Sequence, residues 1–111
     1  MSDWKQSDRP LILVTNDDGI TARGIRTLAE EMTAFGDVVM VAPDSPQSGM
    51  GHAVTIHNVL RLEPHDPGIP GVREAWQTNG TPVDCVKLAI YEVLHRKPDL
   101  LVSGVNHGSN A

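Results

Sequence analysis

The chain has 111 residues, a formal net charge of −5 and one cysteine, which bounds it to one small domain burying about 65% of the surface its unfolded chain exposes. The acidic balance carries no basic excess of the kind that attracts nucleic acid or an anionic membrane, so neither DNA nor RNA nor a membrane is an expected partner. No apolar run approaches the ~18 to 20 residues that cross a bilayer, and the lone Cys85 permits no intrachain disulfide; the expected location is the cytoplasm.

Residues 1–9 are polar, lack the apolar segment of a signal peptide and are expected to form a flexible tail, leaving 10–111 as the folded portion. Leu11 to Thr15 form an apolar, β-branched run that reads as a buried strand, and it leads directly into Asn16, Asp17, Asp18 and Gly19. Ile25, Leu28, Ala29 and Met32 recur at helical spacing, with Arg26, Glu30 and Glu31 on other faces and Gly36 as the expected stop. Val38 to Ala42 is a continuous apolar run ended by Pro43, as in a parallel strand covered on both faces. Strand, helix and strand make a βαβ unit.

Asp44 to His52 is a loop of turn formers that should lie beside the acidic loop. Two short strands are expected at Val54 to His57 and Leu60 to Glu63, as a hairpin excursion from the main sheet, followed by a surface bulge over the Pro- and Gly-rich Pro64 to Gly71. A further short strand ends at Trp76 and Gln77. Thr81 and Pro82 then read as the N-cap and first residue of a helix with Asp84 at its third position, closed by Lys97 and Pro98. The helix is apolar round a wide arc, through Val83, Val86, Leu88, Ala89, Ile90, Val93 and Leu94, and Cys85 within it reads as a small core residue. Asp99 starts a last strand, Leu100 to Ser103, which runs into Gly104, Val105, Asn106, His107, Gly108, Ser109 and Asn110.

Two strand ends thus carry polar clusters, where open α/β sheets place their chemistry. Adjacent carboxylates repel unless a cation sits between them, and carboxylate, amide and hydroxyl oxygens suit Mg²⁺ or Mn²⁺ better than zinc. The competing explanation is that Asp17 and Asp18 cap the following helix and favour its positive end, an effect of at most roughly 1 kcal/mol each. Asn106 and Asn110, interleaved with Gly104 and Gly108, offer amide oxygens and closely approachable backbone, although Ser, Gly and Asn are also ordinary loop residues. No histidine spacing fits a zinc site; His52 and His107 lie in the loops of interest, while His57, His65 and His95 read as strand, surface-loop and helix-end residues.

Taken in order, Asn16 to Gly19, then Ala42, Pro43 and Asp44 with Ser48 and Gly49, then Gly80, Thr81, Pro82 and Asp84, then Ser103 to Asn106 with Gly108 and Asn110 resemble the SurE family of survival-protein nucleotidases across residues 11–110. The resemblance implies a Rossmann-like, three-layer α/β fold with a mostly parallel sheet, here without its C-terminal half. It implies a divalent-metal-dependent phosphatase acting on nucleoside 5′- and 3′-monophosphates, with short polyphosphate as a further substrate class. It also implies one Mg²⁺ or Mn²⁺ per subunit held by Asp17, Asp18, Ser48 and Asn106. Asn16, Gly49, Gly108 and Asn110, with Ser48 and Asn106, would surround the phosphate; Gly80 and Thr81, at a helix N-terminus, are expected to line the site, and His52 and His107 to approach substrate. The family's full-length form is expected to be a homo-oligomer, a dimer or tetramer.

The expected mechanism is hydrolysis by metal-activated water with no covalent phosphoenzyme. Asp17 or Asp18 would act as general base or simply hold the ion, because a metal-bound carboxylate is a weak base. Ser48 has no partner base assignable from sequence, which disfavours it as a nucleophile. Two other readings stay open: a metal- or nucleotide-binding fragment without catalysis, and a glycosyltransferase-like nucleotide-sugar domain.

Overall fold

In the computed structural model, residues 8–46 and 60–105 are described. Strand β1 (Leu11–Thr15) is followed by helix α1 (Arg23–Met32), β2 (Asp37–Pro43), β3 (Leu62–His65), β4 (Val72–Thr78), α2 (Pro82–Leu88), a wider π-helical continuation α3 (Ala89–Leu94) and β5 (Leu100–Ser103). The strands form one sheet in the order β3-β4-β2-β1-β5. β1, β2, β4 and β5 run parallel, and β3 lies antiparallel to β4 at one edge. The mostly parallel α/β architecture agrees with the alternation of apolar runs and amphipathic helices.

Side chains alternate across a strand, and that alternation divides the core into two layers. Ile12 and Val14 of β1 with Val38, Met40 and Ala42 of β2 pack against Ile25 and Ala29 of α1. Leu11, Leu13, Val39 and Val41 point the other way, onto Cys85, Ala89, Val93 and Leu94 of α2 and α3. Every residue of β1 and β2 is buried, which is why these strands read as unbroken apolar runs rather than alternating ones.

One charge lies inside this arrangement. Asp37, 2% exposed at the start of β2, accepts a hydrogen bond from Arg73 Nε at 3.0 Å, with Arg9 at 3.7 Å, and donates its N–H to the Pro10 carbonyl at 2.8 Å. It ties the beginnings of three segments together at the amino ends of the strands, away from the polar loops.

Several boundaries differ from the sequence expectation, and β2 takes in Asp37 and Pro43 on either side of its apolar run. β3 covers Leu62–His65 rather than Leu60 to Glu63, so Pro64 and His65 belong to a strand paired with Trp76 and Ala75, not to a bulge; proline is tolerated there because the strand is at the edge. β4 runs on to Thr78, one residue past Gln77. α1 ends at the Thr33 cap rather than at Gly36, whose Cβ would collide with the Pro10 carbonyl oxygen, so that glycine serves close backbone approach. The second helical segment stops at His95, in left-handed conformation at φ 57°, before Lys97 and Pro98 are reached. The strand expected at Val54 to His57 and nearly all of the expected tail lie outside the described residues.

Candidate active site

The chain leaves β1 for β2 on one side, proceeds outward to β4, and returns through α2 and α3 to place β5 on the other side of β1. That reversal makes the carboxyl ends of β1 and β5 the switch point of the sheet, where a crevice opens between neighbouring loops. Register brings the ends level: Thr15 pairs with Ser103, and Pro43 with Thr78. Backbone bonds beyond the ladders then stitch the loops together. Gly104 N–H donates to the Thr15 carbonyl at 2.9 Å, Ile20 N–H to Pro43 at 2.8 Å, and Asp44 N–H to Thr78 at 2.7 Å. Residues 16–19, 44–46, 79–81 and 104–105 therefore form one rim along the carboxyl edge.

Asp17 is exposed and Asp18 half-buried, between two fixed points. Asn16, 0% exposed, accepts from Gly19 N–H through Oδ1 at 3.2 Å and donates through Nδ2 to the Gly19 carbonyl at 3.0 Å. Gly19 meets both because its φ of +110° turns its N–H and carbonyl back toward the same amide, a conformation that side-chain-bearing residues rarely adopt. Neither aspartate occupies the N-cap position or the first turn of α1. α1 begins after Ala22, which makes no side-chain cap hydrogen bond, and its first turn contains no acidic residue.

The helix after β4 begins as its sequence predicts, with Thr81 as N-cap, Pro82 at N1 and a reciprocal capping box to Asp84. Thr81 N–H donates to Asp84 Oδ2 at 2.9 Å, Asp84 N–H to Thr81 Oγ1 at 3.3 Å, and Gly80 N–H to Thr78 Oγ1 at 2.9 Å. The Gly80 and Thr81 amides are thus engaged locally, on Thr78 and within the capping box. Gly80 and Thr81 belong to the rim by position and not as open donors. Ser48, Gly49, His52, Asn106, His107, Gly108 and Asn110 lie outside the described residues. Of the four expected metal ligands the described rim therefore carries Asp17 and Asp18, and among the described residues no group of three His, Cys, Asp or Glu side chains could hold a metal ion. The donor chemistry of the two carboxylates fits a hard divalent cation.

Two residues beside the rim escaped the sequence reading. A Cβ on Gly24, the second residue of α1, would collide with the Val105 carbonyl oxygen, so this glycine lets the segment leading to Asn106 lie on the first turn of α1. Its signal was present: glycine is a poor choice inside a helix unless something must come close. Thr15, 3% exposed, has a hydroxyl with no hydrogen-bond partner among the described residues. Behind the rim, Cys85 Sγ lies 3.4 Å from Thr78 Oγ1, and burial pushes its thiol above the ordinary value of 9.0, opposed by the Thr78 hydroxyl.

The family profile described as "Survival protein SurE" matches residues 12–111. The chain is similar to the 5′-nucleotidase SurE of Christiangramia forsetii, at 62% identity over 93% of this chain and 40% of that one. Similarity to the 5′-nucleotidase SurE of Cytophaga hutchinsonii is 65% over 93% and 39%. Among solved structures, the crystal structure of the SurE protein of Aquifex aeolicus superposes with a TM-score of 0.73 and 40% identity, over 91% of this chain and 39% of that one. The chain thus spans about 40% of the length of the curated relatives it matches.

Proposed function

The chain belongs to the SurE survival-protein family, and on that premise we propose that it carries the metal- and phosphate-handling part of a divalent-metal-dependent nucleoside 5′-monophosphate phosphatase. The observation that carries this reading is the Asp17–Asp18 pair at the switch point of the sheet, held outside the helix it was a candidate to cap. Asp17, Asp18, Ser48 and Asn106 are the proposed ligands of one Mg²⁺ or Mn²⁺ ion, and Gly49, Gly108 and Asn110 are the proposed phosphate contacts. A divalent cation held there would supply Lewis acidity, which polarises phosphate and lowers the pKa of water so that the nucleophile, hydroxide, forms near neutral pH.

The chain's own residues have the remaining tasks. Asp17 and Asp18 contribute negative charge that favours a cation over a bare anion, and the stitched rim keeps them fixed relative to the loop of Val105. No covalent phosphoenzyme is required. 3′-Monophosphates and short polyphosphate are proposed as further substrates, a nucleoside monophosphate as the main partner, a homo-oligomer as the assembled form and the cytoplasm as the location. No helix among the described residues is long and apolar enough to cross a membrane.

A second reading rests on one observation: the chain spans about 40% of its curated relatives. On that reading it binds metal and nucleotide but turns over only when joined to the rest of such a protein. Phosphate release from 5′- and 3′-monophosphates and from short polyphosphate, with Mn²⁺ or Mg²⁺ and then with chelator, separates the possibilities. Chelator-sensitive release from 5′-monophosphates supports the nucleotidase reading; Mn²⁺ binding without release supports the binding fragment; release untouched by chelator contradicts metal dependence.

A further inference from the structure

The hydrogen bonds of Asn16 favour a role other than the phosphate contact expected of it. It is fully buried, and its one amide engages both backbone groups of Gly19, three residues ahead. A side chain so placed reaches a phosphate in the crevice only by releasing Gly19, whose buried N–H then loses its acceptor, a disfavoured change, while the Gly19 carbonyl keeps the Ala22 N–H at 3.1 Å. The arrangement instead closes a ring across Asp17 and Asp18. The exit of that ring is fixed a second time, by Ile20 N–H on the Pro43 carbonyl.

We propose that Asn16 is a positioning residue: a clamp that fixes the loop bearing the two carboxylates in the form that receives a divalent cation, without touching metal or phosphate itself. The inference rests on the metal reading of Asp17 and Asp18 given above and adds the residue that pre-organises them. The chemistry selects asparagine, because the clamp needs a donor and an acceptor on one planar group. Aspartate lacks the donor and adds a third negative charge. Serine carries its oxygen on a shorter side chain and offers a single hydroxyl. Without the clamp, two adjacent carboxylates that repel each other would spread the loop in the absence of metal, and binding would have to reorder it.

The test uses two independent readouts on this chain. Hydrogen exchange at the Gly19 amide, followed by NMR without metal, reports the clamp itself; calorimetric titration with Mn²⁺ alone, and separately with inorganic phosphate, reports its consequence. In Asn16→Ala the Gly19 amide is expected to exchange faster, and Mn²⁺ affinity to fall about 10- to 100-fold, as when a group that orients a ligand is removed. Unchanged Gly19 exchange overturns the inference. So does unchanged Mn²⁺ affinity, and if phosphate binding falls instead, Asn16 is a direct phosphate contact. Should the wild-type chain fail to bind Mn²⁺, the metal reading fails, and Gly19 exchange alone decides whether Asn16 closes the loop. Should Asn16→Ala fail to fold, Gly19→Ala takes its place: its Cβ meets no atom closer than 3.6 Å, so it perturbs the φ of +110° on which the clamp depends without a steric clash. It is expected to weaken Mn²⁺ binding in the same way, and unaltered binding in that variant overturns the inference.

Discussion

Neighbouring residues of one motif can do unrelated work. Asp17 and Asp18 stand at the rim while Asn16, beside them in sequence, is sealed beneath it. The sequence pattern marked all three as candidate site residues because their order is informative, but it could not separate the two carboxylates at the rim from the amide sealed beneath them. That distinction depends on where Gly19 turns its backbone, which only the fold shows. Cys85 was easier to read: a lone cysteine among apolar helix positions packs as a small core residue, 0% exposed. With its thiol pushed up by burial, Cys85 is expected to resist iodoacetamide in the native chain at neutral pH and to react only as fast as the protein opens. Mass spectrometry of the labelled chain across a urea series checks this; native-state labelling at the rate of a free thiol would show that α2 detaches without global unfolding.

The elements most legible in advance were those whose local chemistry and tertiary role agree. β2 reads as a strand because seven consecutive residues are buried, and α2 announces its start through Thr81, Pro82 and Asp84. β3 was displaced because its registry is set by pairing with β4 rather than by its own composition, and pairing admits Pro64 at an edge. The end of α1 was misplaced for a related reason: Gly36 answers to Pro10, a contact across the fold. β5 is docked by Asp99, whose Oδ2 accepts Leu11 N–H at 2.7 Å and Arg96 Nη2 at 3.1 Å. The Leu11 N–H, helped by Arg96, holds this carboxyl below its ordinary value of 3.8. A carboxyl lowered in the folded state stabilises it above the unfolded value, and that contribution is lost as pH falls through the folded value. Thermal melts below about pH 4 should therefore show a smaller pH dependence in Asp99→Asn than in wild type; parallel curves would remove Asp99 from the account.

Gly24 offers a second test at the level of elements. Gly24→Ala places a methyl group against the Val105 carbonyl, so β5's following loop and the first turn of α1 must separate, at a cost of ~1–3 kcal/mol as in other overpacked sites. If that loop carries a metal ligand at Asn106, Mn²⁺ affinity falls in parallel with stability. A loss of stability with unaltered Mn²⁺ affinity would detach the loop from the metal site.

For the molecule as a whole, topology does what no single motif could. Asp17 and Val105 are far apart in sequence, yet the order β3-β4-β2-β1-β5 sets their strands side by side with ends level. Open α/β sheets bind their ligands at such a switch point whatever their chemistry, and the proposed site lies there. Among the described residues the same topology leaves β5 at the edge of the sheet, with Leu100 and Leu101 exposed by 45% and 47%, an uncommon state for apolar strand residues. Asp17 is proposed to hold a divalent cation needed for phosphate release from nucleoside 5′-monophosphates. The most direct measurement is Mn²⁺-dependent phosphate release by wild type and Asp17→Asn side by side, with Cys85 protection confirming that both are folded. The account predicts release that falls by more than about 100-fold in the variant, since loss of a ligand exceeds loss of a group that merely orients one. Equal release by the two folded chains would contradict it.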